Sequence, residues 1–435
     1  MSDQISFFWF RRDLRLHDNN GLYQALKSGN PVQAIFIFDT NILNELEDKT
    51  DRRLVFIHRE IEKLNLQLKE FGSSLLVEIG DPVEVWKKLT EKHAIAEVYS
   101  NEDYEPYARR RDELVGKILQ QKGISLKLYK DQVVFAKSEI VKSDGSPYTI
   151  FTPYSKTWKS NLEKDSFSTF PSEKFQANFY KTAFKEIPKI SKIGFVDQPF
   201  TFPSDQIKKQ TLEEYAEKRD LPSEDSTTRI SVHLRFGTVS IRELFRKAWT
   251  ISEKWTNELI WREFYMSILW HFPYVEKSAF KPAYDLLKWN VDEEGFQKWC
   301  DGKTGYPIVD AGMRELNETG FMHNRVRMIT ATFLTKYLLI DWRWGEAYFA
   351  KKLLDFELAS NNGGWQWSAG TGVDAAPYFR IFSMDSQTQR FDPQHLYIKK
   401  WIPEINTQDY PGPMIDYAFA RQRCLAFYKN GLVKK

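Results

Sequence analysis

The sequence predicts an N-terminal parallel α/β domain (residues 1–130) and a C-terminal all-helical domain (206–435), joined by a long connector (131–205). Three observations carry this reading. Short apolar runs alternate with helix-period segments over the first 130 residues, a proline-dotted stretch without sustained periodicity follows, and strand signals fade from about residue 206 onward.

In chain order, the candidate strands are Ile5 to Phe10, Val32 to Phe38, Leu75 to Ile79, Glu97 to Ser100 and Ser125 to Tyr129. Between the second and third, Ile61, Leu64, Leu68 and Phe71 recur at helical spacing and stop at Gly72. Asp81-Pro82-Val83-Glu84 combines an N-cap, a proline at the first helical position and a carboxylate three residues after the cap, so a helix starts directly after the third strand. The first strand runs into Arg11-Arg12-Asp13-Leu14-Arg15-Leu16, not into a glycine-rich phosphate loop, which disfavours an ordinary dinucleotide or ATP site there. The connector holds Pro147, Pro153, Pro171, Pro188, Pro199 and Pro203. Beyond it, helix-period segments include Asn257 to His271, Met322 to Leu339 and Gly345 to Leu354.

Composition bounds the function classes. The 435 residues are 42% hydrophobic and 15% aromatic, with 14 Trp, so real cores are expected and a stacked aromatic ligand is permitted. A formal charge of +3 requires any nucleic-acid affinity to come from a local basic surface. Cys300 and Cys424 stand far apart, which argues against a disulfide framework and a thiolate metal site. The seven histidines form no zinc-hydrolase pattern, no Gly-x-Ser-x-Gly elbow occurs, and no apolar run reaches membrane-spanning length. A protein without a metal, without a membrane segment and without a signal peptide is expected.

The candidate chemistry lies in the second half. Asn361-Asn362-Gly363-Gly364-Trp365-Gln366-Trp367-Ser368 reads as a loop-like turn, either one side of an aromatic ligand site or a core turn between helices. On the helix from Asn257, Glu258, Trp261, Arg262 and Tyr265 share one face; this is either a Glu258–Arg262 surface pair, worth about 0.2 to 0.5 kcal/mol, or a carboxylate and an indole facing a polar ligand. Asn324, Arg327 and Met328 fall together at i, i+3 and i+4, and Asp355 and Glu357 precede the Asn361 turn, where an acid can pair with Arg327. Thr227-Thr228-Arg229-Ile230-Ser231 suits either a diphosphate or a plain helix cap. Gly302 to Pro307 lacks the preceding glycine and strand of a phosphate loop and reads as a turn into a helix.

Taken in order, these motifs resemble the photolyase/cryptochrome family of blue-light flavoproteins, and within it the microbial photolyases that repair cyclobutane pyrimidine dimers. The resemblance runs through Trp9 to Asp18, Phe151-Thr152-Pro153, Asn257 to Tyr265, Gly302 to Asp310, Met322 to Met328 and Asn361 to Trp367. It implies a Rossmann-like antenna domain, a long connector and a helical domain that holds FAD. By resemblance, Tyr215, Thr228, Arg229, Ile230 and Ser231 meet the FAD diphosphate, and Asn324, Arg327, Asp355, Glu357 and Asn361 surround the rest, with Asn361 facing flavin N5. Glu258, Trp261, Asn324, Met328 and Trp367 resemble the pocket for a dimer flipped out of the duplex, as enzymes that act on a base within a duplex require. Trp365, Trp342 and Trp289 match the family's electron-relay chain, and Arg219, Arg262 and Arg325 match DNA-contacting positions.

The activity implied is light-driven electron transfer from reduced FAD that splits dimers in UV-damaged DNA, by a monomer working in the cytoplasm, nucleoid-associated when bound to DNA. The alternatives are a cryptochrome-type photoreceptor and a flavoprotein that binds DNA structurally. Asn361 is not the acid or cysteine of plant or insect cryptochromes, the histidine pair of 6-4 photolyases is missing, and the chain ends about 30 residues after Trp401-Ile402-Pro403-Glu404, without a long signalling tail. Glu357 stands where the family usually has aspartate, and Phe321 where many members have tryptophan. Tyr107 and Ala108 stand where folate-binding members carry an Asn-Glu pair, which disfavours a methenyltetrahydrofolate antenna and leaves a deazaflavin, another flavin or none.

Overall fold

A computed structural model describes residues 4–162 and 168–432. The chain forms two units, one of Met1–Glu139, Trp158–Ile207 and Arg229–Thr250, the other of Ile140–Thr157, Lys208–Thr228 and Ile251–Lys435.

In the first unit the strands are β1 (Ile5–Phe10), β2 (Val32–Asp39), β3 (Leu76–Gly80), β4 (Ile95–Asn101) and β5 (Ser125–Tyr129), all parallel in the order β3-β2-β1-β4-β5. β1 and β2 are buried along their whole length, which is why they read as continuous apolar runs. The helices start where side chains can cap them: Asp81 accepts from the amides of Val83 (2.8 Å) and Glu84 (3.2 Å), and Asp51 opens Arg52–Glu70, which closes through its cap Phe71 onto Gly72 at φ +64°. Phe7 packs edge-on against Trp86 at 5.6 Å in the core beneath the sheet.

The arginine-rich run after β1 is consumed inside this unit. Arg11 binds Asp112, and Arg12 reaches Asp103 (3.2 Å) and Glu105 (2.9 Å). Arg15 and Arg242 grip opposite oxygens of the buried Asp131 at 2.7 and 2.8 Å. Gly237, at φ +65°, lies so close to the Arg12 carbonyl that a Cβ would sit 2.1 Å from it, so segment 229–250 seats directly on this run. Burial alone would raise the Asp131 carboxyl, but Arg15 and Arg242 outweigh it and hold it below the ordinary range.

The second unit is helical. The main helices are Glu253–His271, Pro307–Thr319, Asn324–Thr332, Trp342–Lys352, Leu358–Ala369 and Tyr417–Gly431, and a π-helical turn, Phe333–Tyr337, continues the third. The Gly302–Pro307 stretch is a turn fixed by Asp310, which accepts from Thr304 N (2.8 Å), Gly305 N (3.0 Å) and the Tyr410 hydroxyl (2.6 Å). Within the stretch read as connector, a helix forms at Phe151–Ser160. Pro153 sits in its first turn, where no intrahelical amide bond is lost, so the proline that signals a break is compatible with a helix start. No described helix is long and apolar enough to cross a membrane, and the described residues contain no cluster of metal-ligating side chains.

Asp131 is the pivot of a buried ion network, so Asp131→Ala should strand two guanidiniums and cost about 3 to 5 kcal/mol, read as a lower urea midpoint. Because its folded pKa lies below the unfolded value of about 3.9, its stabilisation is complete above that value and is lost as pH falls through the folded pKa. Melting curves of Asp131→Asn should therefore converge on those of the parent in acid.

Candidate functional site

The Asn361–Ser368 segment is a helix, not the turn its glycines suggest. It lies within Leu358–Ala369, capped by Glu357, whose carboxylate accepts from Ala359 N (3.0 Å) and Ser360 N (2.9 Å), and it ends at Gly370 with φ +84°. Two interior glycines cost the helix about 1 kcal/mol each in propensity, and packing overrides this. A Cβ at Gly363 would meet the Tyr265 ring at 2.2 Å, so this glycine is where the Glu253–His271 helix comes in close. Around Gly364 a Cβ would find no atom within 4 Å, so the helix has open space on that face.

Residues two apart on a helix point about 200° away from each other, which separates the two tryptophans. Trp365 is buried at 2% exposure, its ring tip placed where a Cβ on Gly345 would lie 2.1 Å away, and it meets Trp299 (6.0 Å) and Phe349 (5.0 Å) edge-on. Trp367 is half-buried. Trp342 is buried and Trp289 half-buried, and both pack in the same core cluster as Trp365. Trp289 also meets Phe427 at 5.2 Å.

The Asn361 amide is oriented by a residue the sequence did not suggest. Its Nδ2 donates to the backbone oxygen (3.1 Å) and the Oε1 (2.8 Å) of Glu346. Burial pushes the Glu346 carboxyl up to about 6, with the Asn361 hydrogen bond opposing and Glu276 adding to the rise. No periodic signal marks this contact, because it joins two helices.

On the Glu253–His271 helix, Ser252 caps the start by accepting from Trp255 N, four residues before the Asn257 start that periodicity indicates. The Glu258 carboxylate is paired with the Arg219 guanidinium, not with Arg262 one helical turn on. Burial raises the Glu258 carboxyl and Arg219 pulls it back, with a net rise. Trp261 lies half-buried with Phe151 stacked on it, ring centres 3.7 Å apart and planes 4° from parallel. Tyr215 is buried under the Arg219 guanidinium (5.2 Å), and Thr228 Oγ1 accepts from the Trp255 indole at 3.3 Å.

His323 caps the Asn324–Thr332 helix through Nδ1, which accepts from Arg325 N at 3.2 Å. Burial holds its imidazole down at about 4, so it is neutral near pH 7. Arg327 donates to both oxygens of Asp355 (3.1 and 3.2 Å) and to the Met322 carbonyl (2.8 Å). Arg325 turns the other way, onto Asp220 (2.9 Å), the Met328 sulfur (3.9 Å) and the Phe391 ring (4.4 Å). Asp220 also lies 3.9 Å from Arg219, so it links the Arg219–Glu258 pair to Arg325, a role nothing in the linear sequence marks. Asn324 is exposed. In the first unit, Arg229 adopts a left-handed backbone (φ +48°), Ile230 is buried, and Ser231 opens the short helix Ser231–Phe236 without a side-chain cap.

Residues 6–174 match the profile of DNA photolyase, and residues 255–408 that of the FAD binding domain of DNA photolyase. The deoxyribodipyrimidine photo-lyase of Synechococcus sp. is 34% identical, across 97% of this chain and 96% of the relative, and that of Vibrio cholerae 35%, across 97% and 98%. The chain belongs to the DNA photolyase family. Among solved structures, a bacterial class III photolyase from Agrobacterium tumefaciens superposes on this photolyase-family fold with a TM-score of 0.87 at 29% identity, covering 99% of this chain and 98% of that one. An archaeal photolyase from Sulfolobus tokodaii with two FAD molecules gives 0.84 at 32%, covering 98% and 100%. A Synechocystis cryptochrome gives 0.85 at 26%, also covering 98% and 100%.

Because the folded pKa of Glu346 lies above its ordinary value of 4.5, its contribution to stability is whole below that value and declines as pH rises through about 6. Glu346→Gln keeps an acceptor for Asn361 and removes the titration. It should melt higher than the parent at pH 7 to 8 by on the order of 1 to 2 kcal/mol, with the difference vanishing near pH 4; parallel curves across this range would contradict the assignment.

Proposed function

We propose that this chain is a deoxyribodipyrimidine photolyase that uses reduced FAD and light to split cyclobutane pyrimidine dimers in DNA. The observation that carries the reading is the division of labour on the Leu358–Ala369 helix, with Trp365 sealed in the core and Trp367 on the opposite side. When bound and reduced, FAD supplies light-excited one-electron chemistry.

The polar residues suit such a group. Asn257 Oδ1 is buried without a partner, a demand that a polar ligand can meet, and the face at Gly364 has room. Tyr215, Thr228, Arg229, Ile230, Ser231, Asn324, Arg327, Asp355, Glu357 and Asn361 would hold the cofactor. Asn361, its Nδ2 engaged by Glu346, would offer its other end to flavin N5.

Trp261 and Trp367 would wall the pocket for the flipped dimer, stacking on its rings and excluding water. Met328 and Asn324 would complete its lining. Glu258, whose carboxyl is raised by burial and pulled back by Arg219, would steady the developing anion of the lesion, either protonated or through a hydrogen bond. Arg219, Arg262 and Arg325 would meet backbone phosphates, which positions the duplex without reading its sequence. Trp365, Trp342 and Trp289 would relay electrons from the surface.

For a second chromophore, the reading leaves a deazaflavin, a second flavin or none. Tyr107, at the folate-pair position, directs its hydroxyl onto Asp39 at 2.7 Å. A monomer in the cytoplasm, nucleoid-associated on DNA, completes the proposal.

The deciding experiment is illumination of dimer-containing DNA with the purified, reduced holoprotein. Dimers should disappear in the light and persist in the dark, whereas a photoreceptor of cryptochrome type would absorb without repair. Trp261→Ala and Trp367→Ala should each weaken dark binding to the lesion by about 1 to 3 kcal/mol, measured by anisotropy; unchanged affinity would remove that indole from the pocket. Trp289→Phe should leave repair by pre-reduced protein intact and slow the light-driven reduction of oxidised FAD, seen as persistence of its blue absorption.

A further inference from the structure

The closest aromatic stack described in the molecule joins Trp261 to a residue with no part in the proposed chemistry. Phe151 lies face to face with the Trp261 indole at 3.7 Å and 4°, and meets Phe264 edge-on at 5.9 Å. One turn further along its own helix, buried Tyr154 packs on Phe264 at 5.2 Å. Each helix thus contributes two aromatics at i and i+3, Phe151 and Tyr154 from one and Trp261 and Phe264 from the other, and the two pairs interlock.

The backbone is held as well. Phe151 is the first residue of its helix, and its N–H, one of the donors a helix start leaves without an internal partner, goes to the Asp374 carboxylate at 3.1 Å. Asp374 itself sits at φ +44°, a strained angle for a residue with a side chain, in the stretch that follows the Leu358–Ala369 helix. An indole has two faces and a soft torsion to its backbone. A ring clamped flat on one face removes that torsional freedom and leaves the other face to a ligand.

We propose that Phe151 is a positioning residue for lesion recognition: by covering one face of Trp261 it fixes the indole plane on which the damaged base stacks. This rests on the reading of Trp261 as a pocket wall. Asp374 acts one step further back, by holding the end of the helix that carries Phe151.

The test measures dark binding of the full-length, FAD-loaded protein to a duplex with one thymine dimer and to the same duplex undamaged, alongside FAD content and melting temperature. Phe151→Ala should lower affinity for the damaged duplex about three- to tenfold, with affinity for the undamaged duplex and FAD content retained, and Phe151→Tyr should restore it. Asp374→Ala, which leaves every ring in place, should shift lesion affinity in the same direction by a smaller factor. Unchanged or tighter lesion binding by Phe151→Ala, or equal losses for both duplexes, would overturn the proposal; tighter binding would mean that Phe151 occupies the place of the base. Trp261→Ala separates the two levels. If it leaves lesion binding unchanged, the pocket reading itself fails, whereas a loss in Trp261→Ala without one in Phe151→Ala or Asp374→Ala refutes only the role of Phe151.

Discussion

Two missing side chains set the geometry of the helical unit. At Gly363 the Leu358–Ala369 helix admits the Tyr265 ring of one neighbouring helix, and at Gly345 the Trp342–Lys352 helix admits the Trp365 ring. A Cβ at either position would lie within about van der Waals overlap of ring carbons, at 2.2 and 2.1 Å, so neither approach survives even an alanine without displacement. These approaches set how three of the helices pack. They bring the Glu258–Trp261 face and the Asn361–Trp367 helix into one assembly, and they lock Trp365 in the core while its neighbour two residues on faces the other way.

Charge is handled differently in the two units. The arginines after β1 are buried against Asp112, Asp103, Glu105 and Asp131, where they tie the loops of a parallel sheet and the 229–250 segment together. In the helical unit Arg219 and Arg325 are only partly buried and share Asp220, with Glu258 at the end of the chain of pairs. Guanidiniums held in this way are pre-ordered but not sealed. The same pairing keeps Glu258 close to a cation while its surroundings favour the neutral acid, so its protonation is sensitive to where Arg219 points.

Aromatic packing serves two ends in this chain. In the sheet unit, Phe7, Trp9 and Trp86 are plain core. In the helical unit, rings are kept half-buried at Trp261, Trp367 and Trp289, and buried rings meet two of them, Phe264 at Trp261 and Tyr428 at Trp289. An aromatic surface of this kind stays flat and rigid without being fully enclosed, at low entropic cost to whatever stacks on it.

The sequence by itself determined the parallel sheet, whose central buried strands must be apolar throughout, and the helix start at Asp81, where a cap and its amides are adjacent in the chain. It also determined the residue types available for chemistry, and the order of motifs that places the chain in its family. Only the tertiary structure decided that Glu258 pairs with Arg219 instead of Arg262, that Glu346 orients Asn361, that Asp220 holds Arg325, and that a glycine pair which reads as a turn is helix. The reason is physical: caps and amphipathic faces are local and repeat with the period of the backbone, whereas a contact between two helices depends on how closely they approach, and that distance is set by the rings and missing Cβ atoms of both at once.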